Sequence, residues 1–127
     1  MIVDSSALIA LFRREPEWST VLDKIASSSA AVGAPTLVET GMVLTSLTGP
    51  AAGSKLARMV QELGILIVAF QPAHWQLAVE AFDRFGKGRH PARLNFGDCL
   101  SYAVAKHAGQ PLLALGADFS KTDLDLA

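Results

Sequence analysis

Short apolar runs alternate with longer amphipathic segments along the whole chain, and this alternation most constrains its fold. The apolar runs lie at residues 2–3, 30–33, 65–70 and 112–115. Segments with helical spacing lie at 6–13, 16–26, 36–47, 51–63, 72–85 and 96–107. Strands that alternate with helices predict a parallel sheet with helices on both faces. We therefore expect a three-layer α/β/α sandwich with a mostly parallel sheet of four or five short strands, the fifth near Leu124.

The size and composition of the chain indicate one globular domain over residues 1–127. Half of its residues are apolar and 18% are charged, which favours a packed core over disorder. A net charge of −1 excludes a generally basic nucleic-acid coat. The single Cys99 allows no internal disulfide, and no signal peptide or run of about 20 apolar residues is present. We expect a soluble, cytoplasmic protein that does not enter a membrane.

Four acidic residues, Asp4, Glu39, Asp98 and Asp118, occur where a parallel sheet would bring them together. Asp4 closes the first apolar run and Asp118 follows the last, while Glu39 and Asp98 lie just inside predicted helices. Ligands of open α/β sheets bind at the carboxyl ends of the strands. Carboxylates gathered there repel one another unless a cation joins them or their pKa values rise. The pattern predicts a site for a divalent cation.

Each of these acids also has a purely structural explanation. Glu39 fits a capping box that begins at Thr36, and Asp98 fits one that begins at Asn95. The other two acids fit a helix cap and a turn. The joint pattern favours the metal site, because no Lys or Arg lies within two residues of Asp4, Glu39 or Asp98 to balance their charge.

The types of residue present indicate which metal and which chemistry to expect. Oxygen ligands suit Mg²⁺ or Mn²⁺, and the chain lacks the His and Cys spacing of a zinc site. Clustered carboxylates that hold such ions commonly serve phosphoryl chemistry. Cys99 lies in an apolar helical segment, where a buried, inert thiol is expected.

A basic loop precedes Asp98 and is a candidate for binding phosphates. Residues 84–93 hold four of the eleven cationic side chains and no acid, namely Arg84, Lys87, Arg89 and Arg93. Cationic side chains on a glycine-containing loop can grip the backbone of RNA. The alternative is an ordinary solvated loop.

Three stretches of the chain carry a resemblance to a known family. They are residues 2–8 (IVDSSAL), 94–103 (LNFGDCLSYA) and 116–119 (GADF), together with Glu39 and the Thr122–Asp123 pair. The chain resembles the PIN-domain ribonucleases of the VapC toxin type. The resemblance implies Mg²⁺- or Mn²⁺-dependent RNA cleavage, with Asp4, Glu39, Asp98 and Asp118 as the catalytic metal ligands. Ser6, Asn95 and Asp123 are expected to support them.

The resemblance also implies partners and includes two departures. It implies a homodimer, a small VapB-like antitoxin whose C-terminal segment covers the site, and an RNA substrate such as tRNA. Ala117 stands where many relatives have a polar residue, and Leu115 where close relatives often have Lys. These departures concern the grip on substrate near Asp118 rather than the metal site.

Two alternatives of other classes stay open. The first is a receiver-type phosphoacceptor domain, which needs paired acids after the first strand and a Lys near the end of the chain. Here Ser5 rather than a second acid follows Asp4, and Leu115 rather than Lys ends the last apolar run. The second is a catalytically inactive RNA-binding or interaction module, which a nuclease assay with added metal would distinguish.

Overall fold

Four strands and six α-helices alternate along residues 1–127, all of which the computed structural model describes. In chain order they are β1 (Ile2–Val3), α1 (Ser5–Arg13), α2 (Trp18–Ala26), β2 (Ala31–Gly33), α3 (Ala34–Thr48), α4 (Ala52–Glu62), β3 (Leu66–Val68), α5 (Pro72–Phe85), α6 (Phe96–Ala108) and β4 (Leu112–Leu113). A short 3₁₀ turn follows at Phe119–Lys121. No helix is long and apolar enough to cross a membrane.

The four strands form one parallel sheet in the order β3-β2-β1-β4. Ile2 of β1 is in register with Ala31 on one side and with Leu112 on the other. The fifth strand expected near Leu124 is reduced to a single bridge between Leu126 and Leu112. The predicted parallel sheet is confirmed, with four strands.

Two apolar cores lie on opposite faces of the sheet, because successive strand residues point to opposite sides. Val3, Val32 and Leu113 join the core formed with α1 to α4. Ile2 and Leu112 join the core formed with α5 and α6. Burial of each such side chain stabilises the fold by about 1.5–3 kcal/mol. The three-layer sandwich predicted from the sequence is confirmed.

The strand β3 is shorter and more exposed than its sequence suggests. Residues 65–70 are apolar throughout, but only Leu66–Val68 pairs, and it pairs with β2 alone. Leu66 and Ile67 are 66% and 60% exposed. An apolar run indicates a strand without showing whether it lies at the centre or the edge of the sheet. Here it forms an apolar edge with unpaired backbone groups.

The start of α3 differs from its prediction, with a consequence for Glu39. The helix begins at Ala34, after Gly33, and Pro35 occupies its first turn, which suits the fixed φ of proline. Thr36 is therefore inside the helix, so the capping box proposed for Thr36 and Glu39 is wrong. The start of α2 at Trp18 is likewise two residues later than Pro16 suggests.

His74, in the first turn of α5, is buried. The ring is 1% exposed, and its Nδ1 accepts a hydrogen bond from the backbone N–H of Gln71 at 2.9 Å. It also packs edge-on against His107. Burial, and then the nearby His107, lowers the pKa of His74, so the neutral ring caps the start of α5.

Candidate functional site

The carboxyl ends of the four strands meet at one edge of the sheet, because all four are parallel. Asp4 follows β1 directly, and Asp118 lies beyond the end of β4. Glu39 lies on α3, which begins where β2 ends, and Asp98 lies in the first turn of α6. The fold therefore brings the elements that carry these acids to the same edge.

Asp4 is the buried member of the group and is held at both carboxylate oxygens. It is 3% exposed. Its Oδ2 accepts from the backbone N–H of Ser6 at 3.1 Å and from the Ser6 hydroxyl at 2.7 Å. Its Oδ1 accepts from the Ser101 hydroxyl at 2.6 Å. The predicted cap of α1 by Asp4 is present, and these bonds hold the carboxylate in one orientation.

Asp98 is positioned by the capping box that the sequence suggested. The backbone N–H of Asn95 donates to Asp98 Oδ2 at 3.0 Å, and the N–H of Asp98 donates to Asn95 Oδ1 at 2.9 Å. The cap uses one carboxylate oxygen and leaves Oδ1 without a protein partner. The structural and the chemical explanation of Asp98 are therefore compatible.

Glu39 lies against Gly97, one residue before Asp98. A Cβ added at Gly97 would collide with the Glu39 carboxylate. Neither oxygen of Glu39 accepts a hydrogen bond from the protein. The absence of a side chain at residue 97 thus allows a carboxylate of α3 to approach the start of α6, and both its oxygens are free for a ligand.

The charges of the other three acids all act on Asp98. Burial raises the pKa of Asp98 to about 6; the bond from Asn95 opposes this, and the charges of Asp4, Asp118 and Glu39 add to it. The protein has five ion pairs, and none of them includes these acids. The group carries negative charge that no cationic side chain balances.

The donor chemistry of the four acids fits a hard divalent cation. All available donors are carboxylate oxygens, the ligands that Mg²⁺ and Mn²⁺ prefer. No group of three or more Asp, Glu, His or Cys side chains is arranged to hold an ion as the structure stands. Asp4 is fixed, so Glu39, Asp98 or Asp118 would have to turn toward the ion. Glu39 and Asp98 are only partly buried and Asp118 is exposed, which permits such rotation.

Asp123 lies in a different cluster from these four acids. It accepts hydrogen bonds from the Tyr102 hydroxyl at 2.7 Å and the Lys106 ammonium at 2.8 Å, and it pairs with Arg84 at 3.4 Å. Partial burial raises the pKa of Asp123, but the bonds from Lys106 and Tyr102 and the charges of Lys106 and Arg84 outweigh it and bring the pKa to about 2. These contacts tie the C-terminal tail to α5 and α6.

The basic loop divides into paired and unpaired cations. Arg84 pairs with Asp123, and Arg89 pairs with Asp83 at 3.3 Å. Lys87 and Arg93 are exposed and form no ion pair. A bridge between Gly86 and Leu94 closes the loop and leads directly into Asn95. Lys87 and Arg93 are thus the two loop cations without a protein partner.

The sequence assigned no role to Ser101 or Gly97 and only a capping role to Thr36, yet all three residues lie in or beside the site. Ser101 stands three residues after Asp98, on a stretch of α6 that is buried throughout. A polar residue on such a face was an available signal, since buried hydroxyls need hydrogen-bond partners. Gly97 gave a weaker signal, because helical glycine has several explanations.

Comparison with known proteins agrees with the fold. The PIN domain model matches residues 1–124. The chain is 45% identical over 127 residues to VapC ribonuclease Mb2004c of Mycobacterium bovis and to Ribonuclease VapC36 of Mycobacterium tuberculosis, with 98% of this chain and 91% of each relative covered.

Solved structures of low sequence identity share the fold. Mycobacterium tuberculosis VapC20, a sarcin-ricin loop cleaving toxin, superposes with a TM-score of 0.80 at 22% identity, over 99% of this chain and 97% of that one. A toxin–antitoxin complex from Klebsiella pneumoniae gives a TM-score of 0.73 at 16% identity, over 99% and 95% of the two chains.

The fold and the site define an α/β protein with an acidic site at the carboxyl edge of a parallel sheet. The chain belongs to the PIN domain family, in its VapC group. This assignment excludes the receiver-type phosphoacceptor domain that the sequence left open.

Replacement of Asp98 by asparagine is expected to stabilise the metal-free protein at neutral pH. The raised pKa of Asp98 means that the folded state holds a proton between about pH 4 and 6 that the unfolded state lacks, so stability falls as pH rises through that window. The amide of the Asp98→Asn variant can still accept the bond from Asn95, and it never ionises. After discounting for solvent screening, the gain near pH 7.5 is of the order of 1 kcal/mol.

Urea unfolding in EDTA, near pH 4 and near pH 7.5, measures this difference. We expect the Asp98→Asn variant and the original protein to converge near pH 4 and to separate near pH 7.5. A variant that is no more stable than the original at the higher pH would show that ionisation of Asp98 does not destabilise the folded protein.

Proposed function

We propose that this protein is a metal-dependent endoribonuclease toxin that hydrolyses phosphodiester bonds in RNA. The observation that carries the proposal is the group of four acids around a partly buried Asp98, with no cationic side chain to balance them. Such a group binds Mg²⁺ or Mn²⁺ at little electrostatic cost, since the cation relieves the repulsion. The ribonuclease names of the 45% identical relatives support the same activity.

In this proposal Asp4, Glu39 and Asp98 hold the metal, and Asp118 supports them. The bound ion would lower the pKa of a water molecule and offset charge on the scissile phosphate. Asp4 provides a fixed oxygen, since its carboxylate is hydrogen-bonded on both sides. Glu39 has both oxygens free to orient the ion or a water. Asn95 and Ser6 act through the acids that they hold.

The basic loop is proposed to position the RNA backbone beside these acids. Lys87 and Arg93 are the strongest candidates, since they are exposed and unpaired. Arg84 and Arg89 would have to exchange Asp123 and Asp83 for phosphate groups, and their contribution is expected to be smaller.

The salt dependence of RNA binding tests the loop. Lys87→Gln and Arg93→Gln, made in a cleavage-deficient Asp98→Asn background, should each weaken binding and reduce the slope of log K against log salt by about one. Lys55→Gln, on α4, is the matched control. Slopes that equal the control for both loop variants would contradict a role of the loop in phosphate binding.

A cognate VapB-like antitoxin is proposed to neutralise the nuclease. The superposed Klebsiella pneumoniae structure is a toxin–antitoxin complex. The uncompensated acids offer a partner the means of inhibition, because an Arg placed among them would occupy the position of the metal charge. In an RNA cleavage assay, a molar excess of cognate antitoxin should suppress the reaction, and undiminished cleavage would exclude this role.

A second copy of the chain is proposed to cover the apolar edge at β3. Val38, Met42 and Ile67 are each 60% exposed or more and line one groove between α3, α4 and β3, with a volume of about 800 Å³. Exposed apolar surface beside an unpaired strand edge is a typical association site.

Sedimentation velocity tests the dimer. We expect a dimer for the original protein and a monomer for Ile67→Lys, because desolvation of the lysine charge in the interface costs more free energy than the remaining contacts contribute. Leu47→Lys, on α3 but outside the groove, should stay dimeric. A dimer that survives Ile67→Lys would place the interface elsewhere.

Cleavage of total RNA by the purified protein tests the proposed function. With Mg²⁺ or Mn²⁺ we expect discrete fragments, with tRNA as the first candidate substrate from the family resemblance. EDTA and the Asp98→Asn variant should abolish them. Glu17→Gln, which changes an exposed acid at the start of α2, should cleave normally.

Gly97→Ala adds a variant that alters the site without removing a charge. The new methyl group displaces the Glu39 carboxylate, so cleavage should fall at least about tenfold, which is the usual loss when a group that orients a metal ligand is changed. Alanine favours the helix, so the fold should not lose stability.

The original protein, freed of antitoxin, gives the decisive result. If it produces no metal-dependent RNA fragments, the proposed function is contradicted and the inactive RNA-binding module is favoured.

A further inference from the structure

A chain of buried hydroxyl groups lies beneath the acids. Thr36, Ser101 and Asp4 are 2%, 1% and 3% exposed. The hydroxyls of Thr36 and Ser101 are 3.3 Å apart, and the Ser101 hydroxyl lies 2.6 Å from Asp4 Oδ1. On the other side of the carboxylate, Ser6 bonds to Asp4 Oδ2 and accepts from the backbone N–H of Leu115 at 3.0 Å.

The direction of each bond follows from counting protons. A serine hydroxyl has a single proton, and an ionised carboxylate can only accept. Ser101 therefore donates to Asp4, and Thr36 must donate to Ser101. In the same way Ser6 donates to Asp4 and accepts from Leu115. Two chains of hydrogen bonds, one ending at each oxygen, thus converge on the Asp4 carboxylate.

Each residue of this network lies within three residues of one of the four acids. Thr36 is one helical turn before Glu39 on α3, and Ser101 is one turn after Asp98 on α6. Ser6 is two residues from Asp4, and Leu115 is three residues before Asp118. A shift of any of these elements relative to the others would break a bond to Asp4.

We propose that Ser101 is a positioning residue of the metal site, which sets the orientation of Asp4 and holds α6, with Asp98, against α3, with Glu39. The inference rests on the proposed function and deepens it. Hydrogen bonds to a ligating group fix its orientation, and their loss commonly costs 10- to 100-fold in metal affinity. The short, charge-assisted bond to Asp4 is the link that carries most of this effect.

Thr40 provides the contrast that separates positioning from simple packing. It is a fully buried hydroxyl on α3, and it donates to the backbone carbonyl of Thr36 at 2.7 Å. Its bond is local to one helix and reaches no acid. Loss of this hydroxyl removes a buried hydrogen bond of the same kind without touching Asp4.

Direct binding of Mn²⁺ to the RNA-free protein, followed by electron paramagnetic resonance, tests the proposal. Ser101→Ala should bind Mn²⁺ 10- to 100-fold more weakly than the original protein, which is about the cost of a lost outer-shell bond. Thr40→Val, the matched control, should bind within about twofold. Urea unfolding of each variant shows that the fold is retained.

Thr36→Val provides a second, independent arm if Ser101→Ala does not fold. It removes the donor to Ser101 but leaves the Ser101–Asp4 bond, so a weakening of a few-fold is expected. The inference is overturned if Ser101→Ala binds Mn²⁺ within twofold of the original protein, or if Ser101→Ala and Thr40→Val lose the same Mn²⁺ affinity. If Ser101→Ala does not fold, a Thr36→Val variant with unchanged Mn²⁺ affinity overturns it.

The same measurements separate the role of Ser101 from the existence of the metal site. An original protein that binds Mn²⁺ and cleaves RNA, with Ser101→Ala equal to it, overturns the positioning role alone. An original protein that binds no Mn²⁺ overturns the metal site and, with it, the role of Ser101.

Discussion

Repulsion among four carboxylates at one edge of the sheet is the constraint on which the rest of the site depends. The parallel topology forces the acids together, and burial of Asp98 prevents water from screening them fully. The protein does not relieve this repulsion with ion pairs. It holds the acids with neutral donors instead: the Asn95 cap at Asp98, and the hydroxyls of Ser6 and Ser101 at Asp4. These donors fix position without cancelling charge, so the site keeps its attraction for a cation.

The stability that tolerates this repulsion comes from elsewhere in the molecule. Two apolar cores on opposite faces of the sheet hold β1 and β4 in place, and the tail is tied to α5 and α6 by Asp123 with Tyr102, Lys106 and Arg84. Asp123 therefore shows the opposite arrangement to Asp98: its pKa is low because cations surround it. Asp123, in the tail, is thus a balanced carboxylate that anchors the chain, whereas Asp98, in α6, is an unbalanced carboxylate in a site that requires a ligand.

The sequence predicted the fold class and the four acids because both follow from local patterns. Strand and helix periods differ, and acids that follow strands converge in any parallel sheet. Relations between distant segments were not predictable. Thr36 turns inward because Ser101, 65 residues away, is its partner, and Gly97 matters because Glu39 lies over it. β3 is an edge strand because no other strand pairs beyond it, and Asp123 meets Lys106 and Arg84 because the tail folds back. Each of these features depends on a contact between distant segments, which the pattern of one segment does not predict.

A single site for a hard cation, formed by the four acids, is best tested by a crystal structure with Mn²⁺. We expect an anomalous difference peak at the carboxyl edge of the sheet, within coordination distance of Asp4 and of at least one of Glu39 and Asp98, with Asn95 and Ser101 still bonded to their acids. A peak at another place, or no peak in crystals soaked at millimolar Mn²⁺ near pH 7.5, would contradict it.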